Sequence, residues 1–173
     1  MRRAIDEAQH PKYAHIERER RWLVDASRRP DLSRLSHILI EDRYIIGTRM
    51  RLRRMTGSET GEEALKLTKK YEVNDPLARP IVTAYLTSDE YNILAELPAK
   101  PITKCRFKIV QGAETFSLDR FEGALAGLEL AEIEWPDDEG LRVIKSPLWT
   151  VREVSNDQRY QGGALAASGL PKD

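Results

Sequence analysis

Thr103-Lys-Cys-Arg-Phe-Lys-Ile-Val110 alternates strictly, with Lys104, Arg106 and Lys108 on one side and Cys105, Phe107 and Ile109 on the other. A period of two is the signature of a strand, because successive side chains leave a pleated backbone on opposite faces. The same rhythm recurs along the chain. Arg49, Arg51 and Arg53 alternate with Met50 and Leu52, and Lys66, Thr68 and Lys70 alternate with Leu65 and Leu67. Glu17, Glu19 and Arg21 share a face, Glu132 and Glu134 flank Ile133, and Asp119 lies between Leu118 and Arg120. Extending outward from these rows predicts strands at 16–24, 36–46, 48–54, 63–71, 81–86, 103–111, 115–122 and 128–135, separated by Gly-, Pro- and Asn-rich turns at 27–30, 56–61, 74–80, 112 and 123–127. One helix interrupts them: Thr87 and Glu90 form a capping box, Tyr91, Leu94 and Leu97 make an apolar stripe, and Pro98 stops it. Asp137, Asp138 and Glu139 after Pro136 suit a second, shorter helix start. Eight short strands and few helices predict a mainly β (α+β) fold, a sandwich or a barrel.

Composition narrows the function. The 173 residues hold 28 Lys+Arg and 28 Asp+Glu, with a net charge of zero. A chain that coats nucleic acid or a membrane surface needs a basic excess, so neither partner is expected. The single cysteine, Cys105, excludes an internal disulfide and a Cys-based zinc site, and the three histidines have no metal-ligand spacing. No apolar run is long enough for a membrane helix, and residues 1–10 are too polar for a signal peptide, so a cytoplasmic protein is expected. The chain divides into a flexible N-terminal segment (1–14), one domain (15–166) and a tail (167–173).

The charged rows carry the functional argument. A solvated sheet face also alternates charge with apolar residues, but it ordinarily mixes signs, since like charges along one strand repel. Here three strands are basic on their charged face and three supply carboxylates. If the sheet curls with these faces inward, basic and acidic rows meet around one cavity. Such a cavity suits a polyanion bound beside a divalent cation: Arg and Lys take phosphate oxygens, and carboxylates take Mg²⁺ or Mn²⁺. The alternative is that the rows only pair with one another. Lys66, Lys104 and Lys108 are read as solvated strand-face residues or charges at the cavity mouth rather than catalytic groups, and Trp22, Trp135 and Trp149 as packing residues rather than a base-stacking site.

In order along the chain, Glu17-Arg-Glu19-Arg-Arg21-Trp-Leu-Val24, the Arg49/Arg51/Arg53 strand, Thr68 with Lys70, Arg106, Asp119 and Glu132-Ile-Glu134 resemble the motifs of the CYTH, or triphosphate tunnel metalloenzyme, superfamily. The closing segment Glu153–Tyr160 with Ala164–Ala166 is similar too. The resemblance implies an eight-stranded antiparallel closed barrel around an open, charged tunnel, and metal-dependent hydrolysis of tripolyphosphate or an organic triphosphate. It implies Glu17, Glu19 and Arg21 as catalytic residues and Arg49, Arg51, Arg53, Lys70 and Arg106 as the substrate grip. Glu17, Glu19, Asp119, Glu132 and Glu134 would hold Mg²⁺ or Mn²⁺. The family also contains class IV adenylate cyclases, and a non-catalytic triphosphate or polyphosphate binder is a third reading. A monomer or homodimer is expected. Two positions depart from the pattern. Arg21 stands where the family has Lys, and Ile81 and Thr83 stand where it usually has a Glu pair.

Overall fold

The computed structural model describes residues 11–72 and 75–172. Residues 1–10 of the expected N-terminal segment, and Asn74 of one expected turn, lie outside the described residues. All eight expected strands form: β1 (His15–Val24), β2 (His37–Ile45), β3 (Met50–Gly57), β4 (Glu63–Lys70), β5 (Ala78–Tyr85), β6 (Ala99–Gln111), β7 (Glu114–Phe121) and β8 (Glu129–Glu134). A short β9 (Thr150–Glu153) was not foreseen in the sequence. Every pairing is antiparallel, in the order β5-β4-β3-β2-β6-β7-β8-β1. The ring then closes as His15 to Arg18 of β1 pair with Ile81 to Ala78 of β5. The fold is a closed eight-stranded barrel. The ninth strand pairs with the end of β1, at Trp22 to Val24, beyond the reach of β5.

Closure turns the barrel inside out relative to an ordinary domain. The charged rows point inward, so most of the apolar residues that alternate with them point outward and need cover. Trp22, Phe107, Ile109, Phe116, Leu118 and Ile133 pack under Leu141 of helix α2 (Asp138–Val143) and under Ile144 and Trp149. Phe116 meets Trp22 and Trp149 edge to face, with ring centroids 6.0 Å apart in each pair. On the opposite wall, Leu52 and Leu65 pack under Tyr91 of helix α1 (Ser88–Ala95), and Leu94 joins them. That helix carries the Thr87–Glu90 capping box expected of it. Asp137 caps α2 by accepting from the Gly140 N–H at 2.7 Å. Gly140 is needed there because a Cβ would lie 2.1 Å from Trp135 Nε1.

The tunnel is not open throughout. At one end the inward residues turn apolar: Ile102, Phe121 and Leu130 pack against Tyr160 and against Leu165 of helix α3 (Gly162–Ser168). This plug fits because α3 begins with glycine. A Cβ on Gly162 would sit 1.9 Å from the Tyr44 hydroxyl. The α3 helix was legible in the sequence only as a closing segment without a stated conformation.

Between plug and mouth, β2 and β3 are tied by a buried ion pair. Arg53 donates to both oxygens of Asp42 at 2.6 and 2.7 Å. Burial alone would raise the Asp42 pKa, but the Arg53 guanidinium, helped by Arg51 and Lys104, holds it below the usual value.

Two stability measurements check this architecture. Trp22 is fully enclosed, so Trp22→Ala is expected to cost about 3–5 kcal/mol in urea unfolding. Leu148→Ala, at an exposed site, should stay within about 0.5 kcal/mol. Asp42→Asn strips the partner from a buried arginine and should cost about 3–5 kcal/mol at pH 7. A depressed folded pKa means the native state holds fewer protons than the unfolded state. The Asp42 contribution is therefore complete above about pH 4 and is lost as pH falls through the folded value. The stability gap between wild type and Asp42→Asn should accordingly narrow as the pH falls below about 4; a constant gap would contradict the pair.

Candidate functional site

One cavity of about 160 Å³ lies inside the barrel. Its cations are Arg21 from β1, Arg51 and Arg53 from β3, Lys70 from β4, Arg79 from β5, and Lys104 and Arg106 from β6. Its carboxylates are Glu17 and Glu19 from β1, Asp42 from β2, and Glu132 and Glu134 from β8. Seven strands thus contribute charge, and each does so through the parity of its pleat. Cations outnumber carboxylates on the lining, which favours an anionic guest.

Most of the opposed rows neutralise one another. Lys70 Nζ donates to Glu17 at 2.6 Å. Arg21 lies 2.9 Å from Glu19 and 2.9 Å from Glu132, and it also donates to the Tyr160 carbonyl of the plug at 2.8 Å. Arg106 reaches Glu132 at 2.7 Å and grips Asp119 with two bonds of 2.6 Å. Lys104 closes on Asp119 at 2.5 Å. At the mouth, Glu134 meets His15 at 3.3 Å, with both side chains largely exposed.

These contacts set the electrostatics. Burial works against charge on Glu132, yet Arg21, Arg106, Lys104 and Lys70 together hold its carboxyl well below the ordinary range. Burial also opposes Glu17, and Lys70 and Arg51 outweigh it, so that carboxyl is lowered. Glu19 goes the other way: burial raises it, the neighbouring Glu132 and Glu17 add to the rise, and Arg21 and Lys70 do not compensate. The ammonium of Lys104 is pushed down by burial and by the nearby Arg106 and Arg53, despite Asp119. Arg21 and Arg106 are held above their ordinary values by their carboxylate partners against burial.

Glu17, Glu19 and Glu132 feel one another's charge, and one of them resists ionisation, a condition that a divalent cation among them would relieve. Four carboxylates with Glu134 supply hard oxygen donors of the right kind. Among the described residues, no three such groups already converge on one point. The donor chemistry therefore fits a hard cation, provided the carboxylates exchange their present arginine and lysine partners for it.

Of the residues expected from the sequence, Glu17, Glu19, Arg21, Arg51, Arg53, Lys70, Arg106, Glu132 and Glu134 share this cavity. Two are placed elsewhere. Arg49 precedes β3, is exposed, pairs with the exposed Glu72 and does not line this cavity. Asp119 is fully enclosed beneath the lining, behind Lys104 and Arg106. Lys104, expected at the solvent or the mouth, is buried in the wall, whereas Lys108 is exposed. Sequence reading missed Asp42, Tyr44, Arg79 and the plug. In β2 the inward face mixes apolar and polar residues, so no single-sign row marked Asp42. Arg79, just before Pro80, was taken for part of a turn. Thr83, at a position of the family's usual Glu pair, bonds to the Thr68 hydroxyl at 3.0 Å. Among the described residues no helix is long and apolar enough to cross a membrane.

Comparison with known proteins follows the same line. No family model matches the chain. Over 74 residues it is 45% identical to the inorganic triphosphatase of Acetivibrio thermocellus, a stretch covering 42% of this chain and 46% of that protein. Over 55 residues it is 38% identical to the inorganic triphosphatase of Nitrosomonas europaea, covering 32% and 36%. The matched stretch thus spans less than half the length of these curated relatives. Across the whole fold it is similar to two crystal structures of NE1496. One, described as a hypothetical protein, has a TM-score of 0.58 and 25% identity and covers 88% of this chain and 98% of that one. The other, described as an inorganic triphosphatase, has a TM-score of 0.57 and 24% identity and covers 90% and 97%. The closed barrel, the ordered motifs and these relatives bear out the resemblance to the CYTH, or triphosphate tunnel, superfamily.

Proposed function

We propose that this protein is a metal-dependent triphosphatase that hydrolyses the terminal phosphoanhydride of a triphosphate held inside the barrel, with inorganic tripolyphosphate as its simplest substrate. The observation that carries this reading is the cavity itself, a buried, net-cationic pocket in which carboxylates on β1 and β8 face arginines and lysines on β3, β4 and β6. The names of the two curated relatives support the same chemistry.

Hydrolysis of a phosphoanhydride joins a water oxygen to the terminal phosphorus and breaks the bond to the bridging oxygen, which leaves on pyrophosphate. The protein's task is to hold the chain in line and neutralise charge spread over the phosphate oxygens. Arg51, Arg53, Lys70 and Arg106 supply the grip. Their guanidinium and ammonium groups would transfer from Asp42, Glu17 and Glu132 to phosphate oxygens as the substrate enters. Glu17, Glu19, Glu132 and Glu134 would hold Mg²⁺ or Mn²⁺, whose charge would offset that of the phosphates. Arg21 keeps its charge at all working pH and spans Glu19, Glu132 and the plug, so it orients two of those carboxylates together. Asp119 is a positioning residue: its two bonds to Arg106 aim that guanidinium across the cavity. With one end plugged by Tyr160 and Leu165, a group attached to the triphosphate would stay toward the opposite end.

Phosphate release from tripolyphosphate with Mg²⁺ or Mn²⁺ is the test, with turnover expected to vanish in excess chelator. Glu132→Gln should lower kcat by at least about a hundredfold, equivalent to about 3 kcal/mol of transition-state stabilisation. Arg106→Ala should raise KM as well as lower kcat, because a phosphate grip acts before and during the reaction. Full turnover in chelator, or cyclic AMP formed from ATP with no phosphate released from tripolyphosphate, would overturn the proposal.

A further inference from the structure

The inward face of the barrel continues past the charged cavity. Residues directly across a ladder share a face. Lys66 of β4 stands opposite Arg53, and Tyr85 of β5 stands opposite Lys66, so both extend the wall that Arg53 lines. They lie on the side away from the plug. Tyr44, whose hydroxyl meets Gly162 of α3, pairs with Arg51, and Arg53 is one pleat further from it. On β5 the same face runs from Arg79 in the cavity through Ile81 and Thr83 to Tyr85. Past Ile81, β5 keeps β4 on one side, whereas its pairing with β1 stops at His15.

Along this stretch the wall changes chemistry. Met55, Ile81 and Thr83 are half-buried and uncharged. Tyr85 is 73% exposed, and the Lys66 ammonium lies 5.0 Å from its ring centroid. Among the described residues, Tyr85 joins none of the apolar clusters that cover the barrel or build the plug. A cation at that distance is attracted to one face of the ring and holds it in place. The other face is left for a guest. A longer polyphosphate would need the cation rows to go on, and on β3 and β5 they give way to Met55, Ile81, Thr83 and Tyr85. A flat, neutral ring fits better: it stacks on tyrosine, rests against apolar neighbours, and is not repelled by Lys66 as a cationic ring would be. Tyr85 is two strand spacings from Arg53, about 10 Å, so a sugar between phosphate and ring supplies the reach.

We propose that Tyr85 is a specificity-determining residue that stacks the base of a nucleoside triphosphate whose phosphates occupy the cavity. This inference rests on the triphosphatase reading and names the class of substrate that the site prefers. Stacking uses the π-face that every base has, so Tyr85 selects for a base without selecting which one.

Phosphate release from ATP and from tripolyphosphate, each with Mg²⁺, tests this in the full-length protein and its variants. In Tyr85→Ala the ratio of kcat/KM for ATP to that for tripolyphosphate should fall at least about tenfold, the size of one lost base–aromatic stack. The loss should appear mainly in the KM for ATP. Tyr85→Phe keeps the ring and should hold the wild-type ratio, whereas Tyr85→Leu, apolar without a π-face, should behave as the alanine variant. An unchanged ratio in Tyr85→Ala, an equal fall in Tyr85→Phe, or a wild type that hydrolyses tripolyphosphate but not ATP would overturn the assignment of Tyr85 alone. A wild type that releases phosphate from neither compound would overturn the triphosphatase reading and this inference with it.

Discussion

The structure depends on charge being neutralised inside a closed barrel. Eight strands that turn charged faces inward place arginines, lysines and carboxylates in a space of about 160 Å³, where solvation is poor and an unpaired ion is costly. The ligand-free protein meets that constraint with pairs such as Lys70–Glu17, Arg21–Glu132 and Arg53–Asp42. Those pairs make the interior compatible with folding. On the triphosphatase proposal they would also stand in for a guest: the cations hold carboxylates where a bound state would offer phosphate, and the carboxylates hold cations where it would offer metal.

The rest of the fold follows from that inversion. Because the interior is polar, apolar stabilisation has to come from the outer face, and α1, α2 and the 144–149 segment exist as cover for it. An apolar region inside the ring, Ile102, Phe121 and Leu130, is where α3 closes the end. Arg21 links the two regimes, since one guanidinium reaches Glu19, Glu132 and the Tyr160 carbonyl of the plug. A lysine, with a single compact ammonium in place of a planar fork, has no equivalent way to span three acceptors on different elements.

Much of this was legible in the sequence, for a stated reason. A pleat forces alternate residues onto one face, so Lys104-Cys-Arg-Phe-Lys108 and Arg51-Leu-Arg53 reveal both the strand and its charged side without reference to any other residue. The eight strands and the charged faces that carry Glu17, Glu19, Arg51, Arg53, Arg106 and Glu132 follow from that local rule, whereas their meeting in one closed cavity was implied by the family resemblance. What escaped depends on contacts between distant segments. Asp119 obeys the same alternation as Glu132, but only the packing of β6 on β7 puts it behind Lys104 and Arg106. Arg49 continues the arginine row in sequence, yet β3 begins one residue later and its side chain pairs with the exposed Glu72. Pro80 hid Arg79, because proline reads as a turn, although its carbonyl still accepts from Tyr71 within the sheet. The plug carries no periodic signal, and its fit relies on Gly162 meeting Tyr44 from a different part of the chain.

The most direct test of the central claim, that the interior exchanges its own ion pairs for a guest, is a crystal structure of the protein grown with tripolyphosphate and Ca²⁺. Lys70 Nζ and the Arg106 guanidinium are expected on phosphate oxygens inside the barrel, with Glu17 and Glu132 turned to the cation. Tripolyphosphate bound on the outer surface, with the Lys70–Glu17 and Arg106–Glu132 pairs intact, would contradict it.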